Sequence, residues 1–519
     1  MERRDRVRKP KIVSGLQKLF NRRLIILVLI LAQLGTTVAL LARSYQLKWL
    51  EELLMLFSVV TAMHLLIQSN KSAFKLSLIF LILLFPVFGG VLYWILHSQT
   101  SSWGFRMRLS KIERESYHAF DANEDSFQEA VQRVPNARKQ LRYMRNNTPF
   151  PVYRNTATEY YPDGGAMLRA MLADLASAER YIFLEYFIIA EGKMWGEILD
   201  VLCERVRAGV DVRLIYDDIG SMPTLPPSYA KKLRAMGIRC EKFNPFHPFL
   251  TSTQNNRDHR KIAVIDGKIA YTGGINLADE YIGEIRRFGI WKDNAIRLCG
   301  EGAWALTVIF LQTWSFLSRS TEDYLAYRPE GGGSADVSDG WVQPYSDSPM
   351  DNENVGEQVY AQIIDQTQRY LYITTPYLMV EDGMIAALRT AAKSGVDVRI
   401  ITPEIPDKRA VLFTTRSYYR TLIEAGVKIY EFRDGFIHAK TFLSDDTVAT
   451  VGTVNLDFRS LYLHFECGVC LYRTRSIEDV KHDFLQTLEV SRPITLAECK
   501  KNIFVRFFQS ICRIFAPLM

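Results

Sequence analysis

Cysteine is sparse and unpatterned in this chain. Seven residues, Cys203, Cys240, Cys299, Cys467, Cys470, Cys499 and Cys512, are scattered over 519 positions, which excludes the disulfide framework that small secreted domains need. The C-x-x-C formed by Cys467 and Cys470 lies in the apolar run FECGVCLY with no second pair nearby. It reads as a buried strand rather than a metal or redox site. Charge of one sign is also scarce. The formal net charge of +7 leans only mildly toward anionic partners such as a membrane surface, nucleic acid or a phosphorylated substrate. No small-residue cleavage site follows the first apolar run, which disfavours a removed signal peptide. A length of 519 residues exceeds one ordinary core and favours two domain-size units with additions.

Apolar runs dominate the first hundred residues. MERRDRVRKPKIVSGLQKLFNRR is dense in Arg and Lys, and the uncharged run Leu24–Ala42 that follows is about long enough to cross a bilayer. A second run, Leu76–Leu96, would extend on the order of 30 Å as a helix, with Pro86, Gly89 and Gly90 placed to kink it. Leu53–Ile67 is shorter, flanked by Glu51 and Glu52, and either spans or packs on the others. Basic residues precede the first run, and Arg106, Arg108, Lys111 and Arg114 follow the last, so both ends prefer the cytoplasmic side. The expectation is a multi-pass cell-membrane protein with two or three transmembrane helices in residues 1–100. Two crossings satisfy the charge bias; three would put the large domain outside.

The remainder is written twice. YIFLEYFII (Tyr181–Ile189) parallels YLYITTPYL (Tyr370–Leu378), AGVDVRLIYD parallels SGVDVRIITP, and LRAMGIRCEKF parallels LIEAGVKIYEF. Apolar and β-branched runs alternating with helical stretches that stop at glycine predict a mixed α/β sheet in each half. A period this long indicates a duplicated domain rather than a solenoid. The expected layout is a linker at 101–130, a first domain at 131–320, an exposed Gly/Ser/Asp-rich linker at 321–340, a second domain at 341–490 and an amphipathic helix at 491–519.

Both copies carry His-x-Lys-x-x-x-x-Asp, as His259, Lys261 and Asp266 and as His438, Lys440 and Asp445. In each, Gly-x-x-Asn follows: Gly273-Gly274-Ile275-Asn276 and Gly452-Thr453-Val454-Asn455. Two residues apart on a strand, the His and Lys side chains share one face. Asp266-Gly267 and Asp445-Asp446 then turn the chain, glycine lets the following loop approach closely, and the asparagine amide is a donor suited to an oxyanion. A lone histidine on a strand is more often a satisfied core residue. Two copies with the same Lys, Asp and Asn offsets point instead to phosphate chemistry, because an ammonium beside each histidine favours a phosphate and repels a metal ion. Facing each other across a pseudo-twofold axis, the two histidines would flank one phosphorus, one attacking and the other protonating the leaving oxygen, with no cofactor required. Asp217-Asp218 resembles an acid dyad, but its place at a strand end favours a capping role.

These motifs resemble the phospholipase D superfamily, and the wider text, NRDHRKIAVIDGKIAYTGGINLADEY, ITTPYL, FIHAKTFLSDD, GTVNLDFRS and FECGV, resembles its bacterial cardiolipin synthases. The resemblance implies two phospholipase D-like α/β domains related by pseudo-twofold symmetry behind N-terminal transmembrane helices. It implies transfer of a phosphatidyl group between two phosphatidylglycerol molecules through a phosphohistidine. His259 would be the nucleophile and His438 the general acid and then base, or the two exchanged. Asp266 and Asp445 belong to the catalytic motifs, Gly274, Asn276, Thr453 and Asn455 to the substrate site, and Asp293 and Glu466 match positions that orient the histidines. The partners implied are phosphatidylglycerol and anionic membrane lipids, not nucleic acid. Hydrolysis by water, giving phosphatidic acid, is the alternative outcome at such a site.

Finally, a Thr495-x-x-Glu498 capping box precedes a run that places Ile503, Phe504, Phe507, Phe508, Ile511, Ile514 and Phe515 on one helical face. Lys500, Arg506, Gln509 and Arg513 fall on the other. Such a helix either lies on an anionic bilayer or closes over the catalytic domain.

Overall fold

Duplicated sequence folds into duplicated sheets in the computed structural model, which describes residues 48–68, 71–85, 101–120, 122–246, 252–330 and 340–519, with Gly35, Gly90, Tyr93 and Trp94. The first sheet is built from β1 (Thr156–Tyr161), β2 (Tyr181–Tyr186), β3 (Asp211–Asp217), β4 (Arg239–Phe243), β5 (Lys261–Ile265), β6 (Ile269–Gly273) and, after a short β7 (Ile290–Lys292) outside it, β8 (Ala295–Gly300). Its order is β1-β8-β6-β5-β2-β3-β4, parallel across β2-β3-β4 and antiparallel elsewhere. The second half supplies β9 (Trp341–Asp347), β10 (Tyr370–Thr374), β11 (Leu378–Met379), β12 (Asp397–Pro403), β13 (Lys428–Phe432), β14 (Gly435–Ile437), β15 (Thr441–Ser444), β16 (Val448–Gly452), β17 (Leu456–Asp457), β18 (Glu466–Tyr472) and β19 (Ser491–Pro493). The order β9-β18-β16-β15-β10-β12-β13 repeats the first sheet strand for strand, and β19 adds an eighth at the edge. Helices cross over between the parallel strands and stop at glycines in the left-handed region, Gly209 (φ +90°) and Gly395 (φ +96°), at equivalent places.

Burial explains the apolar runs. Every residue of β2 and of β18 is buried, as expected of strands covered on both faces. Cys467 and Cys470 lie in β18 as free thiols; Cys467 meets Thr272 Oγ1 at 3.3 Å and Cys470 accepts from Gln140 Nε2 at 3.3 Å. The helix Glu301–Ser318 is buried from Gly302 through Ser315 and lies against strands of the first sheet and against β9 of the second. The two sheets approach each other directly where β6 and β8 meet β16 and β18.

Residues 101–130, expected as a linker, are helical. Ser101–Ser116 and Glu124–Arg133 are α-helices joined through a 3-10 turn at Tyr117–Phe120. Arg108 Nη2 donates to the Phe316 carbonyl at 2.6 Å, Gln312 Nε2 to Ser116 Oγ at 2.7 Å and Trp304 Nε1 to the Ala119 carbonyl at 2.6 Å. The segment carries many charged residues on its outer side, which mask the few apolar residues, Leu109, Ala119, Phe120 and Ala130, that it buries. The helix expected over 491–519 occupies Ile503–Phe515. The Thr495/Glu498 box does form, with Thr495 N donating to Glu498 Oε2 at 2.8 Å, but it closes a turn; the helix itself is capped by Asn502, whose Oδ1 accepts from Val505 N at 2.9 Å.

The described residues between 48 and 94 belong to a separate unit. The helices described in it are Lys48–Ile67 and Ser72–Leu84, with Leu65, Ile82 and Tyr93 clustered and Trp94 Nε1 donating to Thr61 Oγ1 at 3.1 Å. Among the described residues no helix is long and apolar enough to cross a membrane. Of the expected spans, Leu24–Ala42 lies outside the described residues apart from Gly35, and Leu76–Leu96 is described only in part.

The motif aspartates are engaged by the backbone of the fold. Asp266 (φ +52°) and Asp445 (φ +53°) open three-residue turns between β5 and β6 and between β15 and β16. Asp266 accepts from the backbone N–H groups of Glu179, Arg180 and Tyr181, each at 2.8 Å. Asp445 accepts from those of Gln368, Arg369 and Tyr370 at 2.8, 2.9 and 3.0 Å. Each carboxylate thus pins the start of the central strand, β2 or β10. Asp266→Ala strands three N–H donors and is expected to cost about 1–3 kcal/mol or more. The thermal midpoint should fall, while turnover per correctly folded molecule should change little; an inactive protein of unchanged stability would make Asp266 catalytic after all.

Candidate active site

Each motif histidine is supplied by one half and held by the other. His259 lies just ahead of β5, and its N–H donates to the Phe465 carbonyl at 2.9 Å, while Phe465 N donates to Arg257 O at 2.9 Å. His438 lies between β14 and β15; β14 pairs in parallel with β7 of the first half, and His438 N donates to Lys292 O at 2.7 Å. In both places the next residue on the facing segment is an acid. His259 Nδ1 lies 2.9 and 3.0 Å from the two oxygens of Glu466, and His438 Nδ1 lies 2.7 Å from Asp293 Oδ2. Both carboxylates are ionised acceptors, so each Nδ1 carries the proton and each Nε2 keeps its lone pair.

Burial sets the electrostatics. It resists ionisation of Glu466, but His259 and His464 hold that carboxyl well below the usual range. It likewise opposes ionisation of Asp293, where Lys440 and His438 prevail and lower it. Both imidazoles are harder to protonate than usual. Burial takes His259 down to about 3 against the opposing pull of Glu466, and burial with the Lys440 ammonium takes His438 down to about 4. The same desolvation lowers Lys261 to about 8 and Lys440 to about 7. Lys261 acts electrostatically on His438 and Lys440 as well as on His259, which ties the two half-sites together. Each ammonium donates to the backbone carbonyl of its own histidine, holding the charge beside the imidazole.

The residues expected to bind substrate act mainly as supports. A Cβ on Gly274 would stand 2.0 Å from Asp293 Oδ1, so glycine is what lets that carboxylate reach His438. At the equivalent position Thr453 keeps its side chain and donates its hydroxyl to Glu466 Oε2. Asn276 Oδ1 accepts from Ile188 N at 3.0 Å and its Nδ2 donates to Tyr281 Oη at 2.7 Å; Asn455 Nδ2 donates to Ser460 Oγ at 3.0 Å. Each amide therefore fixes its loop and retains a second N–H. Asp217 caps Gly220 N at 2.8 Å and grips Arg257 at 2.7 to 3.1 Å, while Asp218 pairs with Lys242 at 2.9 Å. Neither aspartate is an acid of the site, in line with the capping expectation.

One neighbour escaped the sequence reading. The His464 ring centroid lies 5.5 Å from that of His259, and its Nδ1 is 3.8 Å from Glu466 Oε1. Trp291 occupies the equivalent place in the other half, 5.6 Å from His438. The signal was present as a histidine two residues before the acid in HFECGV, but only the paired segments place it beside His259. His259, His464 and Glu466 are also the described residues whose ligand atoms come within 4.8 Å of one another. Their donor types suit a metal ion, yet Glu466 is taken by His259 and Thr453, and the Lys261 ammonium acts on both His259 and Glu466. That environment fits an anion better than a cation.

The comparisons agree with this geometry. Residues 171–286 and 360–488 match the family described as cardiolipin synthase, PLD-like domain. A cardiolipin synthase of Geobacillus kaustophilus is 34% identical over 489 residues, covering 91% of this chain and 95% of that protein. The chain belongs to the cardiolipin synthase family. A second cardiolipin synthase, from Halalkalibacterium halodurans, is 31% identical over 96% of this chain and all of its own length. An uncharacterised protein of Streptococcus mutans is 45% identical over 84% of this chain and 95% of its own. The crystal structure of phosphatidylserine synthase from Haemophilus influenzae superposes with a TM-score of 0.56 at 18% identity over 76% of this chain and 97% of that one, a likeness of fold. The cardiolipin synthase domain windows contain His259, Lys261, His438, Lys440 and Glu466, whereas Asp293 falls just beyond the first.

These shifts fix the expected pH dependence. A histidine whose pKa is lowered stays a neutral base on the acid side down to about pH 4, and a lysine whose pKa is lowered loses its charge as pH rises through about 7 to 8. The profile of kcat/KM, which reports the free enzyme, should therefore fall as pH rises through about 7 to 8 and should not fall on acidification until about pH 4. A decline on acidification centred near the ordinary histidine value of about 6.5 would contradict the burial argument.

Proposed function

We propose that this chain is a membrane-anchored phosphatidyltransferase that makes cardiolipin from two molecules of phosphatidylglycerol. The observation that carries the reading is the crossed pair of histidine–carboxylate contacts, His259 with Glu466 and His438 with Asp293. In this reading the phosphodiester of the first lipid enters between Lys261 and Lys440, whose ammonium groups neutralise its charge. His259 Nε2 attacks phosphorus, the bond to the glycerol oxygen breaks, and His438 delivers a proton to that oxygen. The entering anion favours the imidazolium form of His438, which Asp293 supports through Nδ1. The products of this half are free glycerol and a phosphatidyl group on His259. Neutral His438 then removes the proton from a hydroxyl of the second phosphatidylglycerol, whose oxygen attacks phosphorus and releases His259. Lysine ammoniums and the remaining asparagine N–H groups stabilise charge on the equatorial oxygens in both steps.

A lipid substrate is supported by the family and by the apolar walls around the histidines: Phe187 stands 5.0 Å from His259, and Tyr281, Trp291 and Phe436 stand 6.0, 5.6 and 5.9 Å from His438 between ring centroids. Membrane anchoring through the first hundred residues is supported by the helix Lys48–Ile67, where Leu53, Leu56, Val60 and Met63 are all more than half exposed. The experiment is to give the detergent-purified protein phosphatidylglycerol alone, with chelator, and to identify the products by mass spectrometry. Cardiolipin with an equal amount of glycerol is expected, and neither should form with His259→Ala or His438→Ala. Phosphatidic acid as the sole product would make water the acceptor and the protein a phospholipase.

A further inference from the structure

The helix Ile503–Phe515 packs in the opposite sense to an ordinary surface helix. Its Asn502 cap and strong amphipathic pattern make it a stable element, yet none of its residues is buried. Ile503, Phe504, Phe507 and Phe508 are 75, 74, 60 and 58% exposed. Its more polar side, with Val505, Gln509 and Arg513, faces the helix Arg409–Ile423, and Arg513 stacks on the ring of Tyr418 at 4.4 Å. An apolar face seeking the protein core would have turned inward. Here the first two turns of the helix, Ile503 to Phe508, point outward, while Ile511, Ile514 and Phe515 toward its end are partly buried.

Beneath the helix lies a cleft of about 530 Å³, into which Arg416, Arg420, Arg492, Lys501, Arg506 and Arg513 project. Five carboxylates answer these six cations, two of them at longer range: Glu404 at 3.6 Å from Arg492 and Asp382 at 3.9 Å from Arg513. Glu431 binds Arg416 at 2.7 Å and Arg492 at 3.0 Å, Glu424 binds Arg420 at 2.7 Å, and Glu498 binds Arg492. Among the described residues Lys501 and Arg506 have no acidic partner, and they flank the outward apolar face.

We propose that this helix is an in-plane anchor for an anionic phospholipid bilayer: Ile503, Phe504, Phe507 and Phe508 enter the boundary between headgroups and acyl chains, and Lys501, Arg506 and the cleft receive lipid phosphates. The occupant follows from complementarity, because the surface pairs large apolar side chains with uncompensated positive charge. A second copy of the chain would meet the same like charge. The inference rests on the lipid-substrate reading above for its biological setting. Its geometry is independent of the catalytic residues, and the test therefore separates the two.

The full chain carrying His259→Ala, which keeps the lipid composition fixed, is placed one molecule per nanodisc of phosphatidylcholine with or without phosphatidylglycerol, and amide hydrogen exchange is followed by mass spectrometry. Exchange across residues 503–510 should slow by roughly tenfold or more when phosphatidylglycerol is present. Adding Lys501→Gln and Arg506→Gln should abolish that difference. Equal exchange in the two discs would overturn the proposal, as would protection that appears only when two copies share a disc. On the His259-containing background, Phe504→Glu with Phe507→Glu should leave cardiolipin formation in detergent micelles unchanged. A loss of micellar activity would place the helix in the catalytic machinery and overturn the anchoring role.

Discussion

Everything at the centre of this protein depends on two hydrogen bonds that cross between its halves. A buried imidazole is a poor partner for phosphorus unless its tautomer and ring plane are fixed, and Glu466 and Asp293 fix them from Nδ1. Because each acid belongs to the half that does not supply its histidine, neither half alone contains a complete site. The short parallel pairings of β14 with β7 and of Asp258 with Phe465 set these contacts. Behind them, Arg257 against Asp217 and Arg260 against Asp258 and Glu185 place buried charge in compensated networks, so the histidine segment is held from both sides.

Duplication has left the site nearly symmetric, and the departures are informative. Gly274 yields space to Asp293, whereas Thr453 adds a hydroxyl bond to Glu466. Trp291 walls His438, whereas His464 stands in the same relation to His259 and draws on the same carboxylate. Glu466 therefore carries more partners than Asp293, and the imidazole it orients is the one assigned to nucleophilic attack. The two histidines, interchangeable in the sequence, thus differ in their surroundings.

Much of this was legible beforehand, for definite reasons. Repeated spacing of His, Lys, Asp and Asn named the two half-sites, and the repeated GVDVR strands with their glycine stops gave the sheet class, because hydrophobic alternation and turn chemistry are local. Contacts between halves are not local. That Asn276 and Thr453 serve as supports, that Asp266 and Asp445 pin β2 and β10, and that His464 stands beside His259 all arise from contacts outside any local period, Thr453 with Glu466 across a turn of the sheet and the others between more distant segments. The helices within residues 101–130 are not legible because four buried apolar side chains, Leu109, Ala119, Phe120 and Ala130, are too few to register as a periodic face. The apolar face of Ile503–Phe515 is visible as amphipathicity, but that Ile503 to Phe508 point outward while Arg513 stacks on Tyr418 is not.

The most direct test of the crossed site is to trap the covalent intermediate. Short-chain phosphatidylglycerol is mixed with the protein, the reaction is quenched in base, where phosphohistidine survives, and the digest is analysed by mass spectrometry. A phosphatidyl adduct on His259 that disappears in Glu466→Gln, whose carboxylate comes from the other half, is the predicted result. An adduct on His438, or one on His259 that persists undiminished in Glu466→Gln, would contradict the account.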